Sequence, residues 1–272
     1  MGAKNSCEIS RLPQDCLTRI ISLTSPRDAC CCSAVSTNFQ LAADADAVWE
    51  HFLPPDLDHI LSRTEDQLVF TSKKDLYFLL SNRDIILDDG KMSFRLDRSS
   101  GAKIYMLSAS RSAISIIWGD NPQYWQRVSP NRDSRFSEVA RLIIVWWLKM
   151  STRFSCKILT PKTNYTAYFV FKLEDDSSGL DLPIDALIDF GEQESRHKIC
   201  LQPRSSSTRQ TPNNAIRYPR VRDDGWSEVE IGEFYNDCED DDEIVELDVR
   251  EVNGLWAKRG LIFYGIEIRP KK

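Results

Sequence analysis

Residues 264–270 read YGIEIRP, and apolar and charged side chains alternate along this stretch. Ile266 and Ile268 are each followed by a charged residue, Glu267 and Arg269. Successive side chains of an extended chain point to opposite faces, so one face here is apolar and the other is charged. The pattern predicts a β-strand whose isoleucines lie in a core.

The same period of two recurs through the chain from about residue 90. In WSEVEIG, residues 226–232, Val229 and Ile231 lie on the opposite face to two glutamates. Several short strands separated by turns predict an antiparallel sandwich or barrel. The candidate strands are Lys103–Leu107, Ala113–Trp118, Arg141–Lys149, Phe154–Leu159, Thr166–Leu173, Trp226–Ile231, Ile244–Val252 and Leu261–Ile268.

Before residue 80 the apolar residues recur with a period of 3.6, which is typical of amphipathic helices. Residues 12–23 follow this rhythm, and Ser25-Pro26 ends the helix and can begin a second one. A third short helix is expected around 45–52 and a fourth near 73–80. The first part of the chain is therefore predicted to be helical.

Composition limits the partners of the chain. Its 272 residues carry a formal net charge of −6, with a pI near 5.3, which indicates no basic surface for nucleic acid or for an anionic membrane. The N-terminus MGAKNSCEIS lacks the apolar segment of a signal peptide, and no window approaches the roughly 18 apolar residues of a membrane span. We expect a protein of the cytoplasm, the nucleus or both, with neither nucleic acid nor membrane as partner.

The sequence offers no recognisable catalytic or metal-binding motif. It contains no G-x-S-x-G, Walker loop, G-x-G-x-x-G or H-E-x-x-H. Its eight cysteines, three of them consecutive at 30–32, include no C-x-x-C pair. His197 lies near Cys200, but in a stretch expected to be a loop. We expect no enzymatic activity, no metal and no cofactor, and cysteines that are reduced and mostly buried.

Two of the seven tryptophans flank a turn in SIIWGDNPQYWQ, residues 115–126. The segment from Gly119 to Pro122 cannot be a helix interior, and a bend there can bring Trp118 and Trp125 to one side of a sheet edge. An exposed indole can stack on the apolar face of a sugar, whereas a buried indole fills a core. These residues by themselves leave both interpretations open.

Residues 8–54 resemble an F-box, with a Leu-Pro opening, a Val-Ser step and a Val-Trp ending at matching places. The resemblance implies docking to the Skp-type adaptor of a cullin–RING (SCF) ubiquitin ligase. A domain of about forty residues is marginal alone and usually needs a partner. The same apolar stripe could instead pack on the β domain as a structural cap. The implied docking residues are Leu12, Pro13, Leu17, Ile20, Val35, Ser36, Phe39 and Trp49.

From about Lys103 to Arg269 the chain resembles the phloem protein 2 or Nicotiana-agglutinin-like lectins. Matching pieces run in order and include MLSASRSAISIIWGDNPQYWQ, SRFSEVARLIIVWWLKM, TNYTAYFVFKL, RDDGWSEVEIGEFYN and GLIFYGIEIRP. The resemblance implies an antiparallel sandwich that binds N-acetylglucosamine oligomers and N-glycan cores. Trp118 and Trp125 stand where the family places its sugar-binding tryptophans.

The family also implies two carboxylates on a late strand. Glu251 fits the second of them, but the position seven residues earlier is Ile244. Glu243 is one residue away, and a one-residue offset turns a strand side chain to the other face unless a bulge restores it. We therefore expect a carbohydrate site formed by Trp118, Trp125 and Glu251, with Glu243 as the substitute acid.

These resemblances predict an α+β chain, with a three-helix F-box followed by an all-β antiparallel, jelly-roll-like sandwich. The expected domains are residues 8–54, a helical or irregular connector at 55–100, and a lectin domain at 101–272. The predicted function is a substrate receptor of an SCF-type ubiquitin ligase that captures glycosylated or other protein targets. The alternatives are a free-standing lectin of the cytoplasm and nucleus, and a ligase receptor for purely protein targets.

Overall fold

A computed structural model describes residue 9 and residues 12–130, 134–202, 216–238, 243–254 and 256–271. The chain divides into two compact units. The first comprises Met1–Ile85 and Arg95–Lys103, and the second comprises Ile86–Phe94 and Ile104–Lys272.

The first unit is helical. Its helices are α1 (Gln14–Ser22), α2 (Pro26–Ser33), α3 (Thr37–Ala43), α4 (Asp46–Phe52), α5 (Leu57–Leu61) and α6 (Lys73–Asn82). Serine hydroxyls cap three of these helices: Ser25 accepts from the Asp28 amide, Ser36 from the Phe39 amide and Ser72 from the Asp75 amide. Such caps satisfy first-turn amides that have no partner within the helix.

The segment predicted as one second helix forms two, α2 and α3. The break lies at Val35-Ser36, because Ser36 adopts an extended conformation and its hydroxyl caps the next helix. Trp49 of α4 forms the centre of the aromatic core of this unit. Its ring lies 5.1 Å from that of Tyr77 and 5.2 Å from that of Phe78, and its Nε1 donates to the Ala43 carbonyl at 2.7 Å.

The second unit is built from two sheets. The larger has the strand order β1-β2-β3-β15-β8-β13-β12, with β6 pairing β15 and β5, and the smaller has the order β11-β10-β9-β14-β7-β4. The strands are β1 (Ile85–Leu87), β2 (Met92–Leu96), β3 (Lys103–Ser108), β4 (Ser115–Ile116), β5 (Trp125–Val128), β6 (Val139–Leu142), β7 (Leu148–Ser155), β8 (Thr163–Ser178), β9 (Ile184–Phe190), β10 (Gln193–Ile199), β11 (Ile216–Arg217), β12 (Arg220–Val221), β13 (Ser227–Asn236), β14 (Ile244–Glu251) and β15 (Arg259–Pro270).

The inner faces of the two sheets form one apolar core. Phe190 of β9 meets Phe234 of β13 across the interface at 5.7 Å, and Phe169 of β8 stacks on Phe263 of β15 at 4.5 Å. The long strands of both sheets pair antiparallel, and the short β10–β11 pair is parallel. Helices followed by a large antiparallel β domain confirm the predicted fold class.

The stretch YGIEIRP lies in β15, between β3 and β8. Ile266 and Ile268 are fully buried, as the alternation predicts, but Glu267 on the other face is fully buried as well. Both terminal nitrogens of Arg222 donate to Oε2 of Glu267 at 3.2 Å, and Arg269 donates to Oε1 of Glu267 at 2.9 Å. A buried carboxylate is tolerated there because these two guanidinium groups compensate its charge.

Glu228 of β13 belongs to the same network. Arg269 donates to its two oxygens at 2.6 and 3.0 Å, and Arg220 donates to Oε1 at 2.7 Å. Burial alone would raise the pKa of Glu228, but the hydrogen bonds and charges of the arginines outweigh burial and hold it below its ordinary value of 4.5. The arginines of the network therefore favour the ionised form of Glu228.

The cysteines differ from the expectation that they are reduced and mostly buried. Cys156 and Cys238 form a disulfide within the second unit. Cys16, Cys30 and Cys31 are exposed on α1 and α2 of the helical unit, and Cys200 is buried, with its Sγ 3.4 Å from the Gln202 carbonyl oxygen.

Replacing Glu267 by glutamine is expected to destabilise the sandwich by about 3–5 kcal/mol, because one charge of a buried pair is lost and its arginines are left uncompensated. Chemical unfolding of the full chain at neutral pH measures this loss. Asp185→Asn is the matched control, since the Lys198–Asp185 pair is about half exposed and worth at most about 1 kcal/mol. An equal, small effect of both substitutions would contradict the proposed importance of the network.

The lowered pKa of Glu228 gives the network a pH dependence. The stabilisation that ionised Glu228 contributes to the folded state is complete above pH 4.5, its ordinary pKa. This stabilisation decreases as the pH falls through the lower pKa that Glu228 has in the folded protein. We expect the stability difference between the wild type and Glu228→Gln to narrow as the pH falls below that point. Unfolding curves recorded at neutral and acid pH check this, and a difference independent of pH would contradict it.

Candidate functional site

Trp118 is an exposed indole in the turn that follows β4. Its fractional exposure is 53%, and its φ of 59° lies in the left-handed region. A bulky residue pays roughly 1–2 kcal/mol for that conformation. The ring of Tyr124 lies 6.1 Å away at a tilt. Such strained positions cluster at functional sites, which makes Trp118 a candidate contact for a ligand.

Hydrogen bonds within the turn hold Trp118 in this conformation. The Gly119 amide donates to the Ile116 carbonyl and the Asn121 amide donates to the Trp118 carbonyl, both at 2.9 Å. A Cβ at Gly119 would lie 2.9 Å from the Ile116 oxygen, so a residue without a side chain is required there. The turn therefore directs the indole outward.

Trp125 does not share this exposure. It begins β5, pairs with Leu142 of β6 and is only 2% exposed. Stacking on a sugar requires an accessible ring face, and the predicted sugar-binding residue Trp125 presents none in this structure. The turn separates the two tryptophans into one surface residue and one core residue.

Glu251 is already engaged inside the protein. Its Oε2 lies 2.5 Å from the ammonium group of Lys258, and its Oε1 accepts the amides of Asn253 and Gly254 at 3.1 and 2.7 Å. Lys258 is fully buried and also donates to the carbonyl of Trp146 at 2.7 Å. The carboxylate is therefore the counter-ion of a buried lysine, which leaves it little capacity for a sugar.

Glu243 and Glu251 lie far apart along β14. It precedes β14, whereas Glu251 is the last residue of that strand. Eight residues of extended chain separate them by roughly 26 Å. The two acids therefore lie at opposite ends of β14, and their predicted role in one carbohydrate site stays a prediction.

The helical unit divides the predicted docking residues into two groups. Leu12, Ile20 and Val35 are exposed apolar residues, and the sequence patterns missed two more, Leu23 and Leu41. Pro13 and Ser36 are also exposed. By contrast, Leu17, Phe39 and Trp49 are buried in the helical core, so in this structure their side chains are not accessible to an adaptor. Helical periodicity identifies a stripe but does not say which neighbours cover it.

The stretch around His197 is strand β10 rather than the expected loop. Nε2 of His197 lies 3.0 Å from the hydroxyl of Ser195, a contact that resembles the pairing of a catalytic nucleophile with its general base. Burial, followed by the charge of Arg217, lowers the pKa of His197 below its ordinary value. A Cβ at Gly232 would lie 2.7 Å from the Ser195 hydroxyl, which leaves no space for a substrate, so we assign this pair to packing.

The remaining features bear on metals and membranes. Across the part of the chain that the structure describes, no group of three or more His, Cys, Asp or Glu side chains could hold a metal ion. No helix within these described residues has the length and apolar character to cross a membrane.

Substitutions at Trp118 and Trp125 should have different effects on stability, because one side chain lies on the surface and the other in the core. Trp118→Gly relieves the left-handed strain and removes an exposed ring, so stability should stay within about 1 kcal/mol of the wild type. Trp125→Ala empties a core position and should cost about 3–5 kcal/mol. Chemical unfolding of each variant measures both values, and a large loss at Trp118 would contradict its placement on the surface.

Comparison with known proteins matches the helical part and the β part of the chain to two separate families. A family model described as Phloem protein 2 matches residues 102–270, and a model described as F-box-like matches residues 9–54. The chain is 43% identical over 271 residues to F-box protein PP2-B10 of Arabidopsis thaliana, covering 98% of this chain and 96% of that protein.

Two further Arabidopsis thaliana relatives extend the similarity over nearly the whole chain. F-box protein PP2-B15 is 39% identical, covering 96% of each chain. F-box protein SKIP3 is 38% identical, covering 98% of this chain and 90% of that protein. The chain therefore belongs to the family of plant proteins that join an F-box-like segment to a phloem protein 2 domain.

Proposed function

We propose that this chain is a substrate receptor of an SCF-type ubiquitin ligase in the cytoplasm, the nucleus or both. Residues 8–54 would dock a Skp-type adaptor, and residues 101–272 would capture the target. The chain itself would be non-catalytic, contributing to ubiquitin transfer by holding the target close to the other subunits. The observation that carries the proposal is the exposed apolar set of the F-box helices, formed by Leu12, Ile20, Leu23, Val35 and Leu41.

The exposed apolar set has the size needed for docking. Full burial of such a side chain is worth roughly 1.5–3 kcal/mol, so each partly exposed member would contribute about 1 kcal/mol. Five members would supply about 5 of the roughly 8 kcal/mol in a micromolar complex. Exposed apolar groups of this extent are typical of interaction sites. An exposed apolar set of this size favours a ligase subunit over a free-standing lectin, because a structural cap would bury these side chains on the rest of the chain.

Charges placed in the exposed apolar set should abolish docking. The double variant Ile20→Asp, Val35→Asp would bury two unpaired carboxylates in the complex, which should weaken adaptor binding at least about 100-fold. Titration calorimetry of the purified full chain with a Skp-type adaptor measures this change.

Val69→Asp is the matched control, because Val69 is an 85% exposed apolar residue outside the F-box helices. It should change adaptor affinity less than about twofold. If the wild type shows no binding at micromolar concentrations, the docking proposal fails, and the free-standing lectin becomes the better account.

We further propose that the sandwich recognises N-acetylglucosamine oligomers or N-glycans. Support comes from Trp118, whose ring face is exposed and held outward by the turn. An indole offers its π face to the C–H groups of a sugar ring. The rival possibility, a purely protein target, uses the same exposed surface without requiring a sugar.

Tryptophan fluorescence during titration with chito-oligosaccharides distinguishes these possibilities. The wild type should show a saturable change, and Trp118→Ala should abolish it because the stacking face is gone. Trp118→Gly should do the same while the protein remains folded. A flat wild-type titration, or one that both variants leave unchanged, would reject glycan capture and favour a protein target.

A further inference from the structure

We propose that a cavity on the outer face of the larger sheet binds a small organic acid, with the apolar body of the acid in the cavity and its single carboxylate paired with Lys172. The residues that line this cavity belong to the second unit. Neither the exposed apolar set of the F-box helices nor the turn that carries Trp118 contributes to it. The inference therefore goes beyond adaptor docking and target capture.

The outer face of the larger sheet carries an apolar cluster of its own. Along β8, Phe169 and Phe171 are buried in the core between the sheets, so Val170 and Lys172 point to the opposite face. Val170 is nevertheless fully buried, because it packs in this outer cluster. The members of the outer cluster are Met106, Phe136, Val139, Val170, Trp226 and Tyr264. Lys172 therefore emerges beside a packed apolar surface rather than into open water.

A cavity of about 410 Å³ lies at the edge of the outer cluster. Its volume falls within the roughly 300–1,000 Å³ of sites that hold small organic ligands. The apolar walls are Val128 of β5, Val139 of β6, Ile262 of β15 and Trp226, which precedes β13. Strand pairing sets Ile262 directly opposite Lys172, which is the one cation in the lining among the residues that the structure describes.

Trp226 forms a rigid wall of this cavity. Its ring stacks on that of Tyr264, with the ring centroids 4.3 Å apart and the planes inclined by 11°. Its backbone amide donates to Oδ1 of Asp224 at 3.1 Å, and the residue is only 7% exposed. A wall that is already fixed by packing and a hydrogen bond does not have to be ordered when a ligand enters, which favours binding.

Lys172 supplies an ammonium group that lacks an acidic partner. Its Nζ lies over the Trp226 ring, 4.5 Å from the ring centroid. Within the described parts of the chain, no carboxylate forms an ion pair with this ammonium group. An indole ring attracts a cation but leaves its charge in place. A carboxylate brought beside Nζ would form a charge-assisted hydrogen bond, which is stronger than a neutral one.

Two acidic residues in the lining, Asp223 and Asp224, limit the ligand to one carboxylate. Asp224 is engaged, because its Oδ1 accepts the Trp226 amide and its Oδ2 accepts Nε of Arg222 at 3.2 Å. Asp223 is exposed to water, which weakens its repulsion of an anion at Lys172. A second carboxylate on the ligand would add repulsion from both acids, so a monocarboxylic acid is the class that fits.

Calorimetric titration of the full chain with cinnamate, cinnamamide and cinnamylamine tests the inference at neutral pH. The three probes share one apolar body and differ in charge, being negative, neutral and positive. The wild type should bind cinnamate at least about tenfold more tightly than cinnamamide, because only the carboxylate pairs with Lys172. Cinnamylamine should bind most weakly, since its ammonium group would be repelled by that of the lysine.

Two variants separate the charge of the site from its walls. Lys172→Met keeps the length of the side chain and removes the charge, so it should weaken cinnamate binding about tenfold and change cinnamamide binding less than about twofold. Ile262→Trp places a larger side chain in the cavity and should weaken the binding of both probes at least about tenfold. Near-ultraviolet circular dichroism verifies the fold of each variant.

Two further variants act as matched controls. Lys198→Met removes a half-exposed lysine that pairs with Asp185 on the smaller sheet, and it should leave cinnamate affinity within about twofold of the wild type. Asp223→Asn removes the acid at the cavity mouth and should strengthen cinnamate binding about twofold, opposite in sign to Lys172→Met.

The inference is overturned if the wild type binds none of the three probes, or if Lys172→Met retains the preference for cinnamate over cinnamamide. Tightest binding of cinnamylamine would also overturn it, because the acids at the mouth rather than Lys172 would then select the ligand. None of these results bears on adaptor docking or glycan capture, since the titrated residues belong to neither proposal.

Discussion

The buried ammonium group of Lys258 is the constraint on which one end of the sandwich depends, the end where β14 finishes and β7 begins. Removing such a group from water costs several kcal/mol, which must be recovered from partners in the interior. Glu251 supplies the opposite charge, and the carbonyls of Trp146 and Trp256 accept its hydrogen bonds at 2.7 and 3.3 Å. The Trp256 ring covers it at 4.5 Å. One charge therefore ties together the end of β14, the loop before β7 and the approach to β15.

This constraint explains why Glu251, one of the sugar-binding residues that the resemblance implies, is engaged inside the protein. The acid that matches the family position holds a lysine, and Trp125 fills the core. Among the residues that the structure describes, the exposed tryptophans are Trp118, which lies in a strained turn, and Trp146 and Trp147, whose loop is held by Lys258. In the helical unit, too, some of the predicted contact residues are used inside the protein. Three of the predicted docking residues complete the helical core, and the exposed apolar set remains for a partner.

Periodicity in the sequence predicts much of the architecture. The alternation in YGIEIRP identifies the central strand, and Pro26 correctly begins a helix. Strand β9 was missed although IDALIDF alternates, while β10, QESRHKI, carries polar side chains on both faces and gives no such signal. The fold class could therefore be predicted, but several strands at the edge of the smaller sheet could not.

The candidate site was less predictable because it depends on pairings across distant parts of the chain. No local pattern distinguishes Trp118 from Trp125, since only the pairing of β5 with β6 buries the latter. Likewise, Glu251 and Lys258 lie on different strands, and nothing in the spacing indicates that they form an ion pair. Glu267 shows the same limit, because its burial depends on arginines from β15 itself and from the turn after β12.

The division of labour between the two units is the central claim, and hydrogen–deuterium exchange of the full chain tests it most directly. A Skp-type adaptor should slow exchange in residues 12–23 and 32–41, while chitotriose should slow exchange in residues 115–124. Each ligand should leave the other segments unchanged. Adaptor protection confined to the β-strands, or no protection of the F-box helices at saturating adaptor, would contradict the account.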